Sequence, residues 1–118
     1  MPEQYRRPRS EVIRDVERMR RAWADERIAR ATVRRFNAAL KVRPSAGFWP
    51  TVATALTAKF HWVVILCDSC GGVTDLDLRV KPRDPEASVR VTLKDVRCPR
   101  CNGHGRPRII GLAQRPSI

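Results

Sequence analysis

The sequence predicts an α+β fold, in which a long helical segment precedes a C-terminal half built from β-hairpins. Apolar residues recur at helical spacings of three and four through residues 10–42. After residue 61 they form short runs or alternate with polar residues, as in strands. Two Cys-x-x-Cys pairs also lie in this second part. We therefore divide the chain into a basic helical segment (1–43), a linker with a short helix (44–60) and a cysteine-containing domain (61–118).

Length and composition exclude several classes of protein. The chain has 118 residues, of which 42% are apolar, so it can build one core and is not disordered throughout. Its longest apolar run, Trp62–Cys67, has six residues. That is far fewer than the ~20 that a membrane-spanning helix needs. The first residues contain no apolar stretch like that of a secretory signal. We expect a cytoplasmic protein that does not enter a membrane.

The four cysteines predict a metal site. Cys67 and Cys70 form one pair, and Cys98 and Cys101 form the other. In the reducing cytosol, two such pairs are more plausibly metal ligands than disulfides. Two residues between cysteines allow a tight turn to direct both sulfurs at one ion, and Gly71-Gly72 suits that turn. We predict one structural Zn²⁺ held by all four thiolates, which is a closed site with no position for a reacting water.

The sequence also allows other interpretations of the cysteines and histidines. A redox-active dithiol fits less well, because no βαβ pattern accompanies the cysteines, and iron could replace zinc. His104 follows Cys101 at a spacing that would let it replace one cysteine as a ligand. We expect it instead to be a polar residue of the turn. We expect His61 to lie at the boundary of a strand, away from the metal.

The helical segment carries two apolar stripes that are out of step. Their members are Val12, Val16, Met19 and Trp23 for the first stripe and Ala29, Val33, Phe36 and Leu40 for the second. Since the junction is one residue short of a heptad, the helix either bends near residues 24–25 or is two helices. An unbroken helix over 10–42 would be ~50 Å long, whereas a compact domain of this size has a radius of gyration of ~13–14 Å. An unbroken helix would therefore project from the domain or pair with another chain.

Local signals set the ends of the predicted elements. Residues 1–9 are rich in proline and arginine and are expected to be disordered, Ser10 is the predicted N-cap, and Pro44 ends the helical segment. Asp84-Pro85-Glu86 has the signature of a helix start, so we favour a helix over 85–96, although its apolar residues also alternate as in a strand. The remaining predicted elements are a helix over 51–60 and strands over 62–66, 73–78 and 107–112. The first two strands form a hairpin with the first cysteine pair at its tip.

The order of cysteine pairs and strands resembles that of zinc-ribbon proteins. More narrowly, residues 60–112 resemble a group of short, uncharacterised bacterial zinc-ribbon proteins. The segments that carry this resemblance are Trp62, Cys67-x-x-Cys70, Asp77-Leu78-Arg79, Val96-Arg97-Cys98-x-x-Cys101 and Ile110-Gly111-Leu112. The resemblance implies zinc-ribbon β-hairpins flanked by short helices, and it implies no activity.

The second cysteine pair also resembles one repeat of the DnaJ-type chaperone zinc domain. Residues 98–105 fit the pattern Cys-x-x-Cys-x-Gly-x-Gly. The first pair departs from the pattern, because Gly71-Gly72 is followed by Val73, and DnaJ-type domains use four such repeats. We interpret this likeness as shared turn chemistry and not as shared function.

The positive charge is concentrated in the helical segment and consists mostly of arginine. The chain carries a net charge of +12, and residues 1–43 contain 13 basic and six acidic side chains. Because the planar guanidinium binds phosphate well, we predict contacts with nucleic-acid phosphates. No helix-turn-helix or similar motif is present, so little sequence selectivity is expected. The predicted contact residues are Arg14, Arg18 and Arg21, which share a helical face, Arg27, Arg30 and Arg34, which do likewise, and Arg97 and Arg100 beside the second cysteine pair.

Two alternatives use the same segment differently. Acidic residues among the arginines could pair with them, which would leave an ordinary solvated helix. The first apolar stripe could instead dock on a protein partner or on a second copy of the chain, so that the protein would be an interaction module. The sequence contains no glycine-rich phosphate loop and no positioned catalytic group, so we do not expect an enzyme.

Overall fold

The computed structural model describes residues 8–101 and 105–117. Its elements are α1 (Arg9–Val42), α2 (Val52–Thr57), β1 (Trp62–Cys67), β2 (Val73–Asp77), a 3₁₀ helix (Val89–Asp95) and β3 (Pro107–Ala113). This is the predicted α+β architecture. Of residues 1–9, which were expected to be disordered, 1–7 lie outside the described residues. The expectation is wrong for Arg9, which begins α1. Among the helices of the described part, none is both long enough and apolar enough to cross a membrane.

α1 is one continuous helix of 34 residues, so of the two possibilities for this segment the single helix is the one found. At about 100° per residue, the two apolar stripes then lie about 100° apart around the helix axis. The second stripe faces the body, where Ala29, Val33 and Phe36 are buried. The first stripe is exposed, with Met19 52% and Trp23 60% accessible.

The N-terminal part of α1 projects from the body, as expected of an unbroken helix. The structure measures 65 × 31 × 25 Å and has a radius of gyration of 18.9 Å. A compact domain of this length would have a radius of gyration of about 13–14 Å. The difference reflects a helix whose apolar first stripe has no covering layer within the described residues.

The ends of α1 are set by proline. The carbonyl of Pro8 accepts hydrogen bonds from the amides of Glu11 (3.0 Å) and Val12 (3.2 Å). The prediction that Ser10 is the N-cap is therefore wrong: Pro8 takes that position, and Ser10 lies inside the first turn. At the other end, Arg43 is extended, as a residue that precedes proline prefers to be.

The three strands form one antiparallel sheet in the order β2-β1-β3. β1 pairs with β2 from Trp62 opposite Asp77 to Leu66 opposite Val73. It also pairs with β3 from Trp62 opposite Ala113 to Cys67 opposite Pro107, with a bulge in β3. The hairpin of β1 and β2, with the first cysteine pair at its tip, is confirmed. Alternate residues of β1 are buried, which gives the sheet one core face.

The core joins this face to α1 and α2 around the buried Phe36. The ring of Phe36 meets Phe48 edge-on at 5.9 Å and Trp49 at 5.6 Å between centroids. Both partners come from the segment that the sequence indicated only as a linker. α2 starts immediately afterwards, because the hydroxyl of Thr51 accepts a hydrogen bond from the Thr54 amide (3.0 Å) and so acts as its N-cap.

The helix predicted to start at Asp84-Pro85-Glu86 begins later than expected. The 3₁₀ helix starts at Val89, where the Ser88 hydroxyl accepts a hydrogen bond from the Arg90 amide. The carbonyls of residues 85 and 87 are used by α2, whose first amides donate to them at 3.0 and 2.8 Å. These amides have no partner within their own helix, so tertiary pairing holds residues 84–87 in a turn.

Asn37 fastens α1 to the outer edge of β3. Its side-chain amide donates to the carbonyl of Leu112 (2.9 Å), and its side-chain oxygen accepts from the Leu112 amide (2.8 Å). The neighbouring Gly111 leaves room for this approach, because a Cβ added there would lie 3.3 Å from the Asn37 oxygen. The pair of bonds satisfies backbone groups that an edge strand otherwise exposes.

We expect Asn37→Ala to lower the free energy of unfolding by about 1–3 kcal/mol, because it leaves both polar groups of Leu112 without their partner. Urea denaturation of the metal-loaded protein measures the loss. Thr32→Ala is the matched control, since it removes an exposed hydrogen bond within α1 and is expected to change stability by less than about 0.5 kcal/mol. Equal effects of the two substitutions would contradict the role of Asn37.

Candidate metal centre

The first cysteine pair lies in the turn that follows β1. The Cys67 amide donates to the carbonyl of Gly72 (2.9 Å), and the Gly71 amide donates to the carbonyl of Cys67 (2.8 Å). Gly71 has a φ of +73°, in the left-handed region that glycine enters without strain. The turn therefore has the hydrogen bonds and the residue type that bring Cys70 back toward Cys67.

The second pair reaches the same place along a different route. Cys98 and Cys101 follow the 3₁₀ helix, and the chain then enters β3 beside β1. The Asp68 amide donates to the carbonyl of Arg106 (3.0 Å), which ties the first turn to the entry of β3. The Asp68 carboxylate also pairs with the Arg108 guanidinium at 3.2 Å. Two loops that are distant in sequence are thus held against each other.

The four sulfur atoms of Cys67, Cys70, Cys98 and Cys101 all lie within 4.8 Å of one another. The distance is 3.7 Å between Sγ of Cys67 and Cys101 and 3.4 Å between Sγ of Cys70 and Cys98. A disulfide would require about 2.05 Å, and all four cysteines are free. A tetrahedron with metal–sulfur bonds of ~2.3 Å has edges of about 3.8 Å. The donor set and its spacing therefore fit one tetrahedral metal ion.

The electrostatics of the cluster favour a bound cation. The Cys70 amide, more than any other group, lowers the pKa of the Cys67 thiol to about 7. Hydrogen bonds to the neighbouring sulfurs, that of Cys70 first, raise the pKa of the Cys101 thiol to about 12. One sulfur therefore ionises readily and another stays protonated, chiefly because hydrogen bonds favour a thiolate at the first and a thiol at the second, and also because close thiolates repel each other. A divalent cation at the centre offsets that repulsion and allows all four to ionise.

Neither histidine belongs to the described group of metal ligands. His61 immediately precedes β1, whereas Cys67 is its last residue, and about 3.3 Å per residue separates them along the strand. Burial and the nearby Arg79 lower the pKa of His61. It belongs to the far end of the sheet, and the described metal-binding group contains cysteines alone. His104, considered as an alternative ligand, lies outside the described residues.

The predicted phosphate-binding arginines fall into three groups. Arg97 and Arg100 are exposed on the segment that carries the second cysteine pair. The other groups lie on α1, and because α1 is unbroken, the helical repeat places them on opposite sides of it, about 173° apart. These groups are the Arg14 set (Arg14, Arg18 and Arg21) and the Arg27 set (Arg27, Arg30 and Arg34).

Sequence reasoning missed two exposed arginines near these groups. Arg106 lies at the entry of β3 near the metal centre. Arg20 lies on the side of the Arg27 set, since it precedes Arg27 by two turns of α1. The i, i+7 relation among Arg20, Arg27 and Arg34 is the signal that could have identified Arg20.

The chain matches no protein-family model, and comparisons with curated proteins and with solved structures find no match. The likeness to short bacterial zinc-ribbon proteins and to a DnaJ-type repeat therefore remains a prediction from the sequence motifs. The clustered cysteines define a candidate metal centre on the geometry of this chain alone.

We expect Cys98→Ser to abolish metal binding and unfold the C-terminal half, because ligation by structural zinc contributes about 10 kcal/mol or more to folding. Elemental analysis should give one zinc per chain in the unmodified protein and none in the variant, with a lower melting temperature. Ser69→Ala is the control, since Ser69 is exposed in the first turn and supplies no sulfur. A variant that kept its metal and its melting temperature would exclude the structural site.

We expect Gly105→Ala to weaken metal binding while all four sulfurs remain. A Cβ at Gly105 would overlap the sulfur of Cys67 and lie 3.5 Å from that of Cys101. Competition with a chromophoric chelator measures the change. Gly47→Ala is the control, because φ at Gly47 is +82° but a Cβ there meets nothing within 4 Å. It should cost stability without changing metal affinity, and equal metal affinity in the two variants would contradict the predicted clash.

Proposed function

We propose that the protein is a small structural-zinc protein that binds nucleic acid through arginine–phosphate contacts with little sequence specificity and has no catalytic activity of its own. Zinc is the ion proposed because four thiolates in a tetrahedral arrangement suit it and leave no open position. The metal centre would then stabilise a small body, and α1 would supply the binding surface.

The carrying observation is that one side of α1 has arginines that are not balanced by acids. Glu11, Glu17 and Asp25 all lie within about 60° of the Arg14 set around the helix axis. On the side of the Arg27 set, Glu26 pairs with Arg30 at 3.2 Å, and Glu17 lies one turn before Arg20 without a described ion pair to it. Arg20, Arg27 and Arg34 have no carboxylate partner within the described residues. Unbalanced arginines attract a polyanion and release its counterions.

The two arginine sets have different parts in the proposed binding. A helix is about 10–12 Å wide with its side chains, so one strand or duplex lying along α1 contacts one side of it. We assign the main contacts to the Arg27 set, because the acids near the Arg14 set reduce the local potential there. Arg97 and Arg100, exposed at the other part of the molecule, are additional contacts for a longer nucleic acid.

A second candidate function is protein binding through the first apolar stripe. The exposed fractions are 43% for Val12, 42% for Val16, 52% for Met19 and 60% for Trp23. Apolar side chains in a row on a projecting helix are typical of a surface that docks in a groove or on another helix. In this function the protein would be an adaptor, and its arginines would play no direct part.

We test the proposal with two triple-alanine variants that remove the same charge from the same helix. In titrations of duplex DNA and single-stranded RNA over a salt series, replacing the Arg27 set should flatten the log–log slope, by up to about 2.7 on duplex DNA at about 0.9 per lost phosphate contact. Replacing the Arg14 set should change it less. Alanine preserves the helix. Absence of binding, or equal slopes in all three proteins, would contradict the proposal.

A further inference from the structure

Trp23 is the exposed aromatic residue of α1. Its side chain is 60% accessible, whereas the other two tryptophans, Trp49 and Trp62, are half-buried. Trp49 packs on Phe36 and lies beneath the guanidinium of Arg90 at 5.6 Å. Trp23 has no comparable contact within the described residues, so its ring is available to a ligand.

The unbalanced arginines surround Trp23. Arg20 precedes it by three residues and Arg27 follows it by four, so both lie next to it on the helix surface. Arg30 and Arg34 continue the same side, and all five residues fall within a sector of about 80°. A shallow groove of about 390 Å³ runs from Trp23 along Arg27, Arg30 and Arg34, and Glu26 and Ala31 also line it. We call these five residues, Arg20, Trp23, Arg27, Arg30 and Arg34, the Trp23 face.

The opposite side of α1 has no such combination. The Arg14 set is interspersed with acids, and no aromatic residue lies three or four residues from any of its members. A ring flanked by cations is therefore specific to one side of the helix. This combination favours a ligand that has both a flat, unsaturated group and a phosphate. The ring binds the flat group, and the guanidinium groups bind the phosphate.

We infer that the Trp23 face binds single-stranded nucleic acid, with a base stacked on the Trp23 ring and the flanking phosphates on Arg20, Arg27 and Arg34. Cationic grooves with aromatic platforms bind single strands in this way. In a duplex, each base face is already covered by its neighbours, and exposing it costs a few kcal/mol. The inference rests on the proposed function and adds the class of nucleic acid.

Glu26 neutralises only part of the positive charge of the Trp23 face. Its pairing with Arg30 leaves that side chain 37% exposed. The charge that remains free comes from Arg20 and Arg27 on the two sides of the ring and from Arg34 beyond. A strand that stacks one base on Trp23 therefore finds a cation on each side of that base, so a single strand can follow the helix axis.

The experiment uses the full metal-loaded chain and compares an RNA single strand of mixed sequence with a duplex of the same length. We expect the single strand to bind more tightly. Trp23→Ala should weaken its binding at least about fivefold and leave the duplex unchanged. Trp23→Phe should retain most of the affinity, because it keeps a ring. Met19→Ala, on the same stripe, is the control and should change neither. Binding of the strand should also quench tryptophan fluorescence, and the quenching should be absent in Trp23→Phe.

The outcomes separate this inference from the proposed function. If no nucleic acid binds, the proposed function fails and the inference fails with it. If nucleic acid binds but the duplex is preferred, or if Trp23→Ala binds like the unmodified protein, only the inference is overturned. If Met19→Ala and Trp23→Ala both lower a concentration-dependent mass in light scattering and leave RNA binding unchanged, the face is a protein interface and the inference is wrong.

Discussion

The convergence of four thiols at one end of the sheet is the constraint on which the C-terminal half depends. Cys67 closes β1, while Cys98 and Cys101 lie on the long connection between β2 and β3. At the opposite end of β1, the core face reaches Val63, which pairs with Leu112, and Leu112 is held by Asn37 of α1. The short sheet is thus fixed at both ends, by sulfur ligands at one and by the helix at the other. Because the sheet has only three strands, it buries too little apolar surface to be stable without these two sets of contacts.

The one-residue step between the two apolar stripes of α1 separates the side that packs on the body from the side that we propose to bind nucleic acid. Had the heptad continued, the first stripe would lie above the body on the same side as Phe36. The missing residue rotates it by about 100°, away from the direction in which the body packs. The Trp23 face therefore lies on a different side of α1 from the buried stripe. Its residues are exposed except Arg30, which is half-buried.

Much of this could be predicted from the sequence, because the signals are local. The cysteine spacing predicts the candidate metal site, the helical periodicity predicts α1, and the apolar run with the glycine turn predicts the hairpin. What could not be predicted depends on contacts between distant segments. Asp84-Pro85-Glu86 has a good helix signature, but α2 takes the carbonyls of residues 85 and 87. The sequence predicts a linker at Phe48 and Trp49, because no local signal shows that they pack on the ring of Phe36.

Charge balance favours α1 over the metal centre as the proposed binding surface. Four thiolates around the proposed Zn²⁺ would leave a net charge of about −2, and Asp68 adds another negative charge beside them. The arginines nearest to this end, Arg97, Arg100, Arg106 and Arg108, therefore act first on the thiolates and on Asp68, which Arg108 contacts directly. Less positive potential is left there for a phosphate, so Arg97 and Arg100 would be secondary contacts. On the Trp23 face, by contrast, one acid stands among four arginines. A screened polyanion responds to the nearest unbalanced charge within about 8–10 Å at physiological ionic strength, so in the proposed function the attraction of a polyanion would originate from the projecting helix.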